Sequence, residues 1–334
     1  MKNETFDIDF VIPWVDGSDP AWIKEFNKYC PEDKQIIDAS EKRFRDYGLL
    51  KYWFRGVEKF APWVRKVHFI TCGQKPEWLN LDAPKLHWVQ HKDYIPQEYL
   101  PVFSSHPIEL MMHKIPGLAE QIVYFNDDLF LTSPVRNKFF FRKGLPCDSA
   151  ILGTNGFTSF GHIPLNNTVL INSKFSKKEV LWHSLDKWFN LKYGTSLIKT
   201  MLLLPFSGFS GFYNPHFAVP YTKSLLEEVW ENFPDALTLT MKQRFRSKQD
   251  VNQYLFRNYR SCTGKFYPVN PHHRKKYFSL TNANLKLIVN AIKKQKFIQI
   301  VINDTEDSVD FENTQKCLID AFQSILPEKS SFEI

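Results

Sequence analysis

A chain of 334 residues that is 43% hydrophobic can bury one large core or two modest ones, and its net charge of +7 is small for that length. Lysine and arginine are dispersed and form no nucleic-acid-binding pattern, which excludes that class; the mild positive balance suits an anionic ligand or a membrane surface. The aromatic content of 16% is enough to line a sugar-binding cleft with rings as well as to fill a core.

The five cysteines, Cys30, Cys72, Cys147, Cys262 and Cys317, are far apart and include no C-x-x-C pair, so reduced thiols in a cytosolic compartment are expected. Met1-Lys2-Asn3-Glu4 leads into a strand without a signal-peptide apolar run. The longest apolar run, Met201 to Leu204, is stopped by Pro205, far short of a membrane span. A soluble or at most peripheral protein is expected.

Residues 8–15 form the first predicted strand, and Pro13 near its end requires that the strand finish there or lie at an edge. Asp16-Gly17-Ser18-Asp19-Pro20 follows as a polar loop, with Pro20 opening a helix. Two readings of this loop stand side by side: an Asx turn, or a nucleotide-contacting loop in which Asp16 reaches ribose or base. Over 40–61, Leu49, Trp53, Val57 and Phe60 repeat at helical spacing, and Pro62 ends the run. Arg45 near its start is a candidate phosphate contact, while Lys51 and Arg55 read as a solvated face.

Strands are next predicted at 67–71 and 86–89. A helix opens at Ser104-Ser105-His106 and ends at Pro116-Gly117. Within it Glu109 and His113 read as an exposed pair four residues apart, and His106 as a group facing a cleft. Gln121 to Phe125 is a short β-branched and aromatic run, the pattern of a buried parallel strand, and it delivers Asn126-Asp127-Asp128 at its carboxyl end. Ligands of open α/β sheets collect at such ends, and adjacent carboxylates there suit Mg²⁺ beside a diphosphate; an ordinary turn uses the same residues.

Residues 132–212 carry a weaker signal and read as a helical insertion, expected to contribute to acceptor binding, between catalytic segments 1–131 and 213–334. Tyr213-Asn214-Pro215-His216 is a turn, and Lys223 to Phe233 an amphipathic helix. Arg244-Phe245-Arg246 precedes Ser247, read as the N-cap of a further helix with Asp250 at N3, which places the arginines as a phosphate seat at a helix N-terminus. A last buried strand, 297–302, delivers Asn303-Asp304-Thr305-Glu306-Asp307 before a helix with Phe311, Leu318, Phe322 and Ile325 on its apolar stripe. Three strands thus end in acidic loops, whose carboxylates converge if the strands are neighbours in one sheet. The alternation of strand and helix predicts an α/β fold, Rossmann-like or glycosyltransferase-A-like, with a mostly parallel sheet flanked by helices.

Four blocks resemble the Stealth family, phosphotransferases of capsular polysaccharide related to the lysosomal N-acetylglucosamine-1-phosphotransferase. They run from Asp9 to Pro20, from Arg43 through Ser105-His106 to Asp128, from Pro215 to Asp250, and from Ile302 to Phe332. Ser104 stands where the family's pattern suggests Asn, and the large insertions of the lysosomal relatives are missing, which favours a bacterial glycan acceptor over a glycoprotein. The resemblance implies transfer of a hexose-1-phosphate or N-acetylhexosamine-1-phosphate from a UDP-sugar to a glycan hydroxyl, forming a phosphodiester and releasing UMP in capsular or exopolysaccharide synthesis.

By the same resemblance Asp128, His216 and Arg246 are the catalytic residues. Asp127 and Asp128 are expected to hold Mg²⁺ or Mn²⁺, and either His216 or Asp128 to take the acceptor proton. The expected nucleotide-sugar contacts are Trp14, Asp16, Gly17, Asp19, Arg45, His106, Asn126, Asn303 and Asp304. The acceptor is expected to be lipid-linked, which would place the cytosolic enzyme at the inner face of the plasma membrane. Two other readings remain at this stage: a metal-dependent glycosyltransferase releasing UDP, and a non-catalytic sugar-binding module.

Overall fold

The computed structural model describes residues 6–30, 46–156, 161–304 and 310–334. In chain order its strands and helices begin with β1 (Ile8–Pro13), α1 (Pro20–Tyr29), α2 (Leu50–Phe60), β2 (Val67–Thr71) and β3 (Leu86–Gln90). Next come α3 (Ser105–Leu110), β4 (Gln121–Tyr124), β5 (Leu129–Leu131), β6 (Phe141–Arg142) and β7 (Leu145–Asp148). Four helices, α4 (His162–Lys174), α5 (Lys177–His183), α6 (Leu185–Trp188) and α7 (Ser196–Leu202), then occupy the expected insertion. The chain continues with β8 (Val219–Thr222), α8 (Lys223–Asn232), α9 (Pro234–Met241), α10 (Tyr254–Thr263) and β9 (Tyr267–Pro268). It closes with β10 (Lys275–Leu280), α11 (Leu285–Lys293), β11 (Gln299–Asp304) and α12 (Phe311–Ile325).

The main sheet has the order β3-β2-β1-β4-β8, parallel throughout except for the antiparallel edge strand β8. Successive side chains of a strand leave on opposite faces, and here they feed two cores. Phe10, Ile12, Phe69, Val123 and Phe125 join α2, α11 and α12 on one face. Val11, Ile70, Ile122 and Tyr124 join α8, α9 and α10 on the other. Burial on both faces accounts for the continuous apolar runs read from the sequence. Pro13, which has no amide hydrogen, is the last residue of a central strand, and the amide of Trp14 resumes the ladder on the Ile70 carbonyl at 2.9 Å.

The third acid-bearing strand is not in this sheet. β11 lies between β10 (parallel) and β5 (antiparallel) in a second, three-stranded sheet. The two sheets are joined covalently where β4 passes through Asn126-Asp127-Asp128 into β5. Because β11 runs antiparallel to β5, its carboxyl end returns to the start of β5, and the Ile302 amide binds the Asp128 carbonyl at 2.9 Å. The ends of β4 and β11 therefore meet across a junction of sheets rather than within one, with Asn303 reaching Asp128 and Asp304 accepting from Tyr47. Helix α2 packs closely over β5: a Cβ on Gly56 would sit 3.0 Å from the Leu131 carbonyl oxygen.

Three other expectations need correction. Arg55 is buried, not solvated: its guanidinium binds Glu333 at 2.7 and 2.8 Å and the Leu326 carbonyl at 3.0 Å, because the C-terminal segment folds back over α2. The helix expected to end at Pro116-Gly117 stops at Leu110 and continues as a 3₁₀ turn over Met112–Lys114. Glu109 and His113 are buried rather than exposed; Glu109 accepts from the Tyr124 hydroxyl at 3.2 Å and from the Gln253 amide at 3.4 Å. Residues 40–45, with Arg45, lie outside the described residues. All five cysteines are free, and no helix among the described residues is long and apolar enough to cross a membrane.

The buried histidines set an acid limit on stability. Burial pulls His91 and His113 down to about 4 and lowers His87, which hydrogen-bonds His68 through its Nδ1 at 2.8 Å. Their folded pKa values lie below that of an unfolded histidine, so their contribution is complete above about pH 6.5 and is lost as pH falls toward 4. For His91 and His113 the loss is on the order of 3 kcal/mol each. Asp46, Asp127 and His216, whose pKa values are raised, act in the opposite sense; two of these are solvent-touching carboxylates, so the histidines dominate. The melting temperature is therefore expected to fall between pH 6.5 and 4.5. A flat profile in scanning calorimetry would contradict this.

Candidate active site

The junction between the two sheets gathers residues from four parts of the chain. β4 ends at Tyr124, the Phe125 amide continues its ladder onto the Val11 carbonyl at 2.9 Å, and the Leu129 amide closes the turn on the Asn126 carbonyl at 3.2 Å. Asp128 is thereby aimed at His216, whose Nε2 is 3.1 and 3.2 Å from the two carboxylate oxygens. Asn303, at the end of β11, donates to Asp128 Oδ2 at 3.3 Å. Asn126 Nδ2 lies 3.1 Å from His216 Nε2 and 3.4 Å from Nδ1. Nε2 carries a single hydrogen in the neutral ring, and a carboxylate is the stronger acceptor, so that hydrogen is assigned to Asp128. This leaves Nδ1 with the lone pair.

The electrostatics of the cluster are coupled. Burial would lower the pKa of His216, but the hydrogen bond and charge of Asp128, joined by the charge of Asp127, outweigh it and raise the value. Asp127 is pushed up to about 7, first by desolvation and then by the neighbouring Asp128. It is solvent-accessible yet closely surrounded by protein, the situation of a group on the floor of a cleft. Asp46 is also raised, by desolvation foremost and by the charge of Asp16, and its own charge acts on Asp127. Asp16, Asp46, Asp127 and Asp128 thus form a chain of like charges, each acting on the next.

Among the described residues, no three His, Cys, Asp or Glu side chains form a preformed metal cage. The pair Asp127–Asp128 nonetheless fits Mg²⁺, which uses one or two carboxylates and completes its shell with water and substrate phosphates. A carboxylate held near pKa 7 by desolvation and a neighbouring like charge is relieved when a divalent cation arrives.

The Asp16 loop satisfies the turn reading. Asp16 Oδ1 accepts from the amide and hydroxyl of Ser18 at 2.9 and 2.6 Å. Asp19 caps α1 by accepting from the Ala21 amide at 2.8 Å. Gln74, from the loop after β2, ties the turn together: it accepts from the Asp16 amide at 3.0 Å and donates to the Asp16 carbonyl and to Asp19 at 2.9 and 2.8 Å. Gly17 sits at the centre of this turn, half-buried, and Trp14 packs its ring 5.8 Å from that of Phe69 at the strand's mouth. Asp304 accepts from the Tyr47 hydroxyl at 2.8 Å.

The loop 244–250 differs from expectation. Ser247 and Asp250 do form a reciprocal turn, with the Ser247 amide on Asp250 Oδ2 at 2.9 Å, but no helix follows. Helix α10 starts at Tyr254, with Gln253 as its N-cap and Glu109 Oε2 on the Gln253 amide. Arg246 is therefore not at a helix N-terminus, because Asp250 is used by tertiary partners: His106 Nδ1 lies 2.8 Å from the same oxygen. His106 itself is buried beside Asp250 rather than in the Asp128–His216 cluster. Arg246 is half-buried in this loop, which Phe245 anchors in a cluster with Trp22, Phe26 and Phe103.

Sequence reasoning missed three supporting residues. Tyr277 of β10 sets its ring 6.2 Å from that of His216, and desolvation together with the Asp128 charge raises its pKa. Arg257 binds the Tyr213 carbonyl at 2.6 Å and Asn214 Oδ1 at 2.7 Å, fixing the turn that presents His216. Gln74 is the third. No local signal marks any of them, since each acts over a separation of more than 40 residues.

Models of three Stealth protein regions match the chain: conserved region 1 over residues 6–30, conserved region 2 over 43–147 and conserved region 3 over 215–256. The chain is 42% identical to a capsular polysaccharide phosphotransferase WcwK of Streptococcus pneumoniae, covering 100% of this chain and 99% of that protein. It is 41% identical to the exopolysaccharide phosphotransferase cps2G of Lactiplantibacillus plantarum, covering 98% and 96%. Among solved structures, the galactosyltransferase LgtC aligns over 95% of this chain and 96% of its own, with 8% identity and a TM-score of 0.41.

Proposed function

The chain belongs to the Stealth family, and on that premise we propose that it is a sugar-phosphate transferase of cell-surface polysaccharide synthesis. In this reading it moves a sugar-1-phosphate from a UDP-sugar to a glycan hydroxyl. The observation that carries it is the Asp128–His216 pair at a strand's carboxyl end, beside a second carboxylate whose pKa is near 7.

His216 Nδ1 takes the proton from the acceptor hydroxyl while Asp128, bound to the Nε2 hydrogen, orients the ring and stabilises the cation that forms. The acceptor oxygen attacks the phosphorus bearing the sugar. The bond from that phosphorus to the bridging oxygen breaks, and UMP leaves with the electron pair. Mg²⁺ held by Asp127 and Asp128 would neutralise the charge of the diphosphate. Asn126 and Asn303 hold Asp128 and His216 in place, and Arg246 approaches the phosphates from the loop wall. Trp14, Asp16, Gly17 and Asp304 line the nucleotide side, while Asp19 and His106 act indirectly, by holding their loops. The acceptor is lipid-linked and meets the site at the cytoplasmic membrane face, with residues 132–212 forming the part that binds it.

The experiment is a product assay with the protein, a UDP-sugar and a glycan acceptor, in Mg²⁺ and then in excess EDTA. UMP and a ³¹P phosphodiester resonance, both lost on chelation, are expected. Release of UDP instead would make the protein a glycosyltransferase, and full activity in EDTA would remove the metal from this reading.

A further inference from the structure

Of sixteen large hydrophobic side chains exposed among the described residues, ten fall between Leu165 and Phe206. The most prominent are Leu191, Trp182 and Leu202, exposed by 88%, 74% and 71%. Trp182 and Leu185 on α5 and α6 face Leu204 and Phe206 across an open groove of about 440 Å³, floored by Leu181 and Phe189. Met201 and Leu202, at the end of α7, continue this apolar surface along the chain into Leu204. Isolated exposed apolar side chains are ordinary, but a concentration of this kind marks an interaction surface.

The loop that carries Leu204 and Phe206 is held in its outward-facing conformation. Lys177 is buried, and its ammonium donates to the carbonyls of Leu203 and Leu204 at 3.0 and 3.1 Å and to that of Phe206. Three backbone acceptors are thereby satisfied without water, as contact with an apolar phase requires. The apolar side chains protrude from several short elements on either side of the groove, so the surface is uneven. Fluid acyl chains conform to such a surface, whereas a folded partner would need matching sockets.

The charge around it selects among surfaces. Residues 162–207 contain six lysines against Glu179 and Asp186, a net charge of +4. Lys174 and Lys178 are exposed, with aliphatic stems that can lie along the apolar surface while their ammonium groups stay in water, whereas Lys192 and Lys199 turn to the rings of Tyr267 and Tyr213. Tryptophan beside lysine on an otherwise aliphatic surface is the chemistry of a membrane interface. We infer that the exposed apolar surface of α5–α7 is a docking face for an anionic phospholipid bilayer, inserting Trp182, Leu202 and Phe206 to the headgroup boundary. This inference stands on the exposed surface alone and does not depend on the reaction proposed above.

The test is co-sedimentation of the full chain with vesicles of phosphatidylcholine and phosphatidylglycerol, and with vesicles of phosphatidylcholine alone. Binding is expected to the mixed vesicles, to weaken with added salt, and to be far weaker to the neutral ones. The double variant Trp182→Glu/Leu202→Glu changes two exposed side chains and should keep the parent circular dichroism spectrum and melting temperature. Its vesicle affinity should fall by about tenfold or more. Lys174→Glu/Lys178→Glu should lose the preference for anionic lipid. A parent protein that stays in the supernatant with both vesicles overturns the inference. So does a parent that self-associates in sedimentation velocity through the same two side chains without binding vesicles, because the surface would then join two copies of the chain.

Discussion

Replacing Asp128 with Asn should lower kcat by about a thousandfold or more while leaving the melting temperature within a few degrees of the parent. Asn keeps the volume and one acceptor oxygen, so the bond from Asn303 survives, and a turn position tolerates Asn as readily as Asp. What disappears is the charge that stabilises protonated His216 and half of the pair expected to hold the metal. The change also separates the roles of the two residues. In the parent, Asp128 holds the His216 pKa above its ordinary value against the opposing effect of burial. Without that charge burial dominates, and the His216 titration followed by NMR should move to lower pH. If His216 is the base, the acid limb of the residual pH–rate profile should move with it. A kcat within about twofold of the parent, the scale of an ordinary surface substitution, would remove Asp128 from the mechanism.

The largest loss of stability is expected at Asp148. Its carboxylate lies between two buried guanidinium groups, Arg257 at 2.7 Å and Arg260 in close contact, and their charges hold its pKa down at about 2 despite desolvation. Asp148→Asn keeps the shape but leaves both cations without a counter-charge. Breaking a buried pair in this way costs about 3–5 kcal/mol, which for a chain of this size lowers the melting temperature by roughly 10 °C. Lys275, depressed to about 8 by burial and supported by the Asp148 charge, would give up its proton more readily and soften the loss. Arg257 also holds the Tyr213-Asn214 turn, so activity measured well below the melting transition should fall as well. A melting temperature unchanged by Asp148→Asn would mean that the carbonyl partners alone sustain the two arginines.

Much of this architecture is written locally. The run Gln121 to Phe125 is a strand because its β-branched and aromatic side chains fill a core on each face. The apolar stripe of the last predicted helix appears as α12, where Leu318, Phe322 and Ile325 are buried. The carboxylates after β1 and β4 and at the end of β11 were legible because each is delivered by a recognisable strand. The start of α10 was not. Ser247 and Asp250 have the spacing of a capping box, but only its carboxylate half forms: the Ser247 hydroxyl accepts from Gln249, His106 from 144 residues away shares the Asp250 carboxylate, and the chain remains a turn until Gln253. Arg55 was misread for a related reason: its helical position looks solvated until the C-terminal segment, with Glu333, covers it.

Local pattern carried strands β1 to β4 and β11, helices α2, α8 and α12, the acidic strand ends and the family resemblance, because each of these depends on neighbours a few residues apart; strands β5 to β10 carry no such pattern. Long-range packing places β11 in a second sheet and still brings Asn303 to Asp128, 175 residues away. It also aims His216 at Asp128 by a turn that Arg257 holds, with Tyr277 beside the ring. These contacts depend on how strands pair and on which buried charges find partners. Such choices are settled by burial and hydrogen bonding over the whole chain, where local pattern carries no information about the partner.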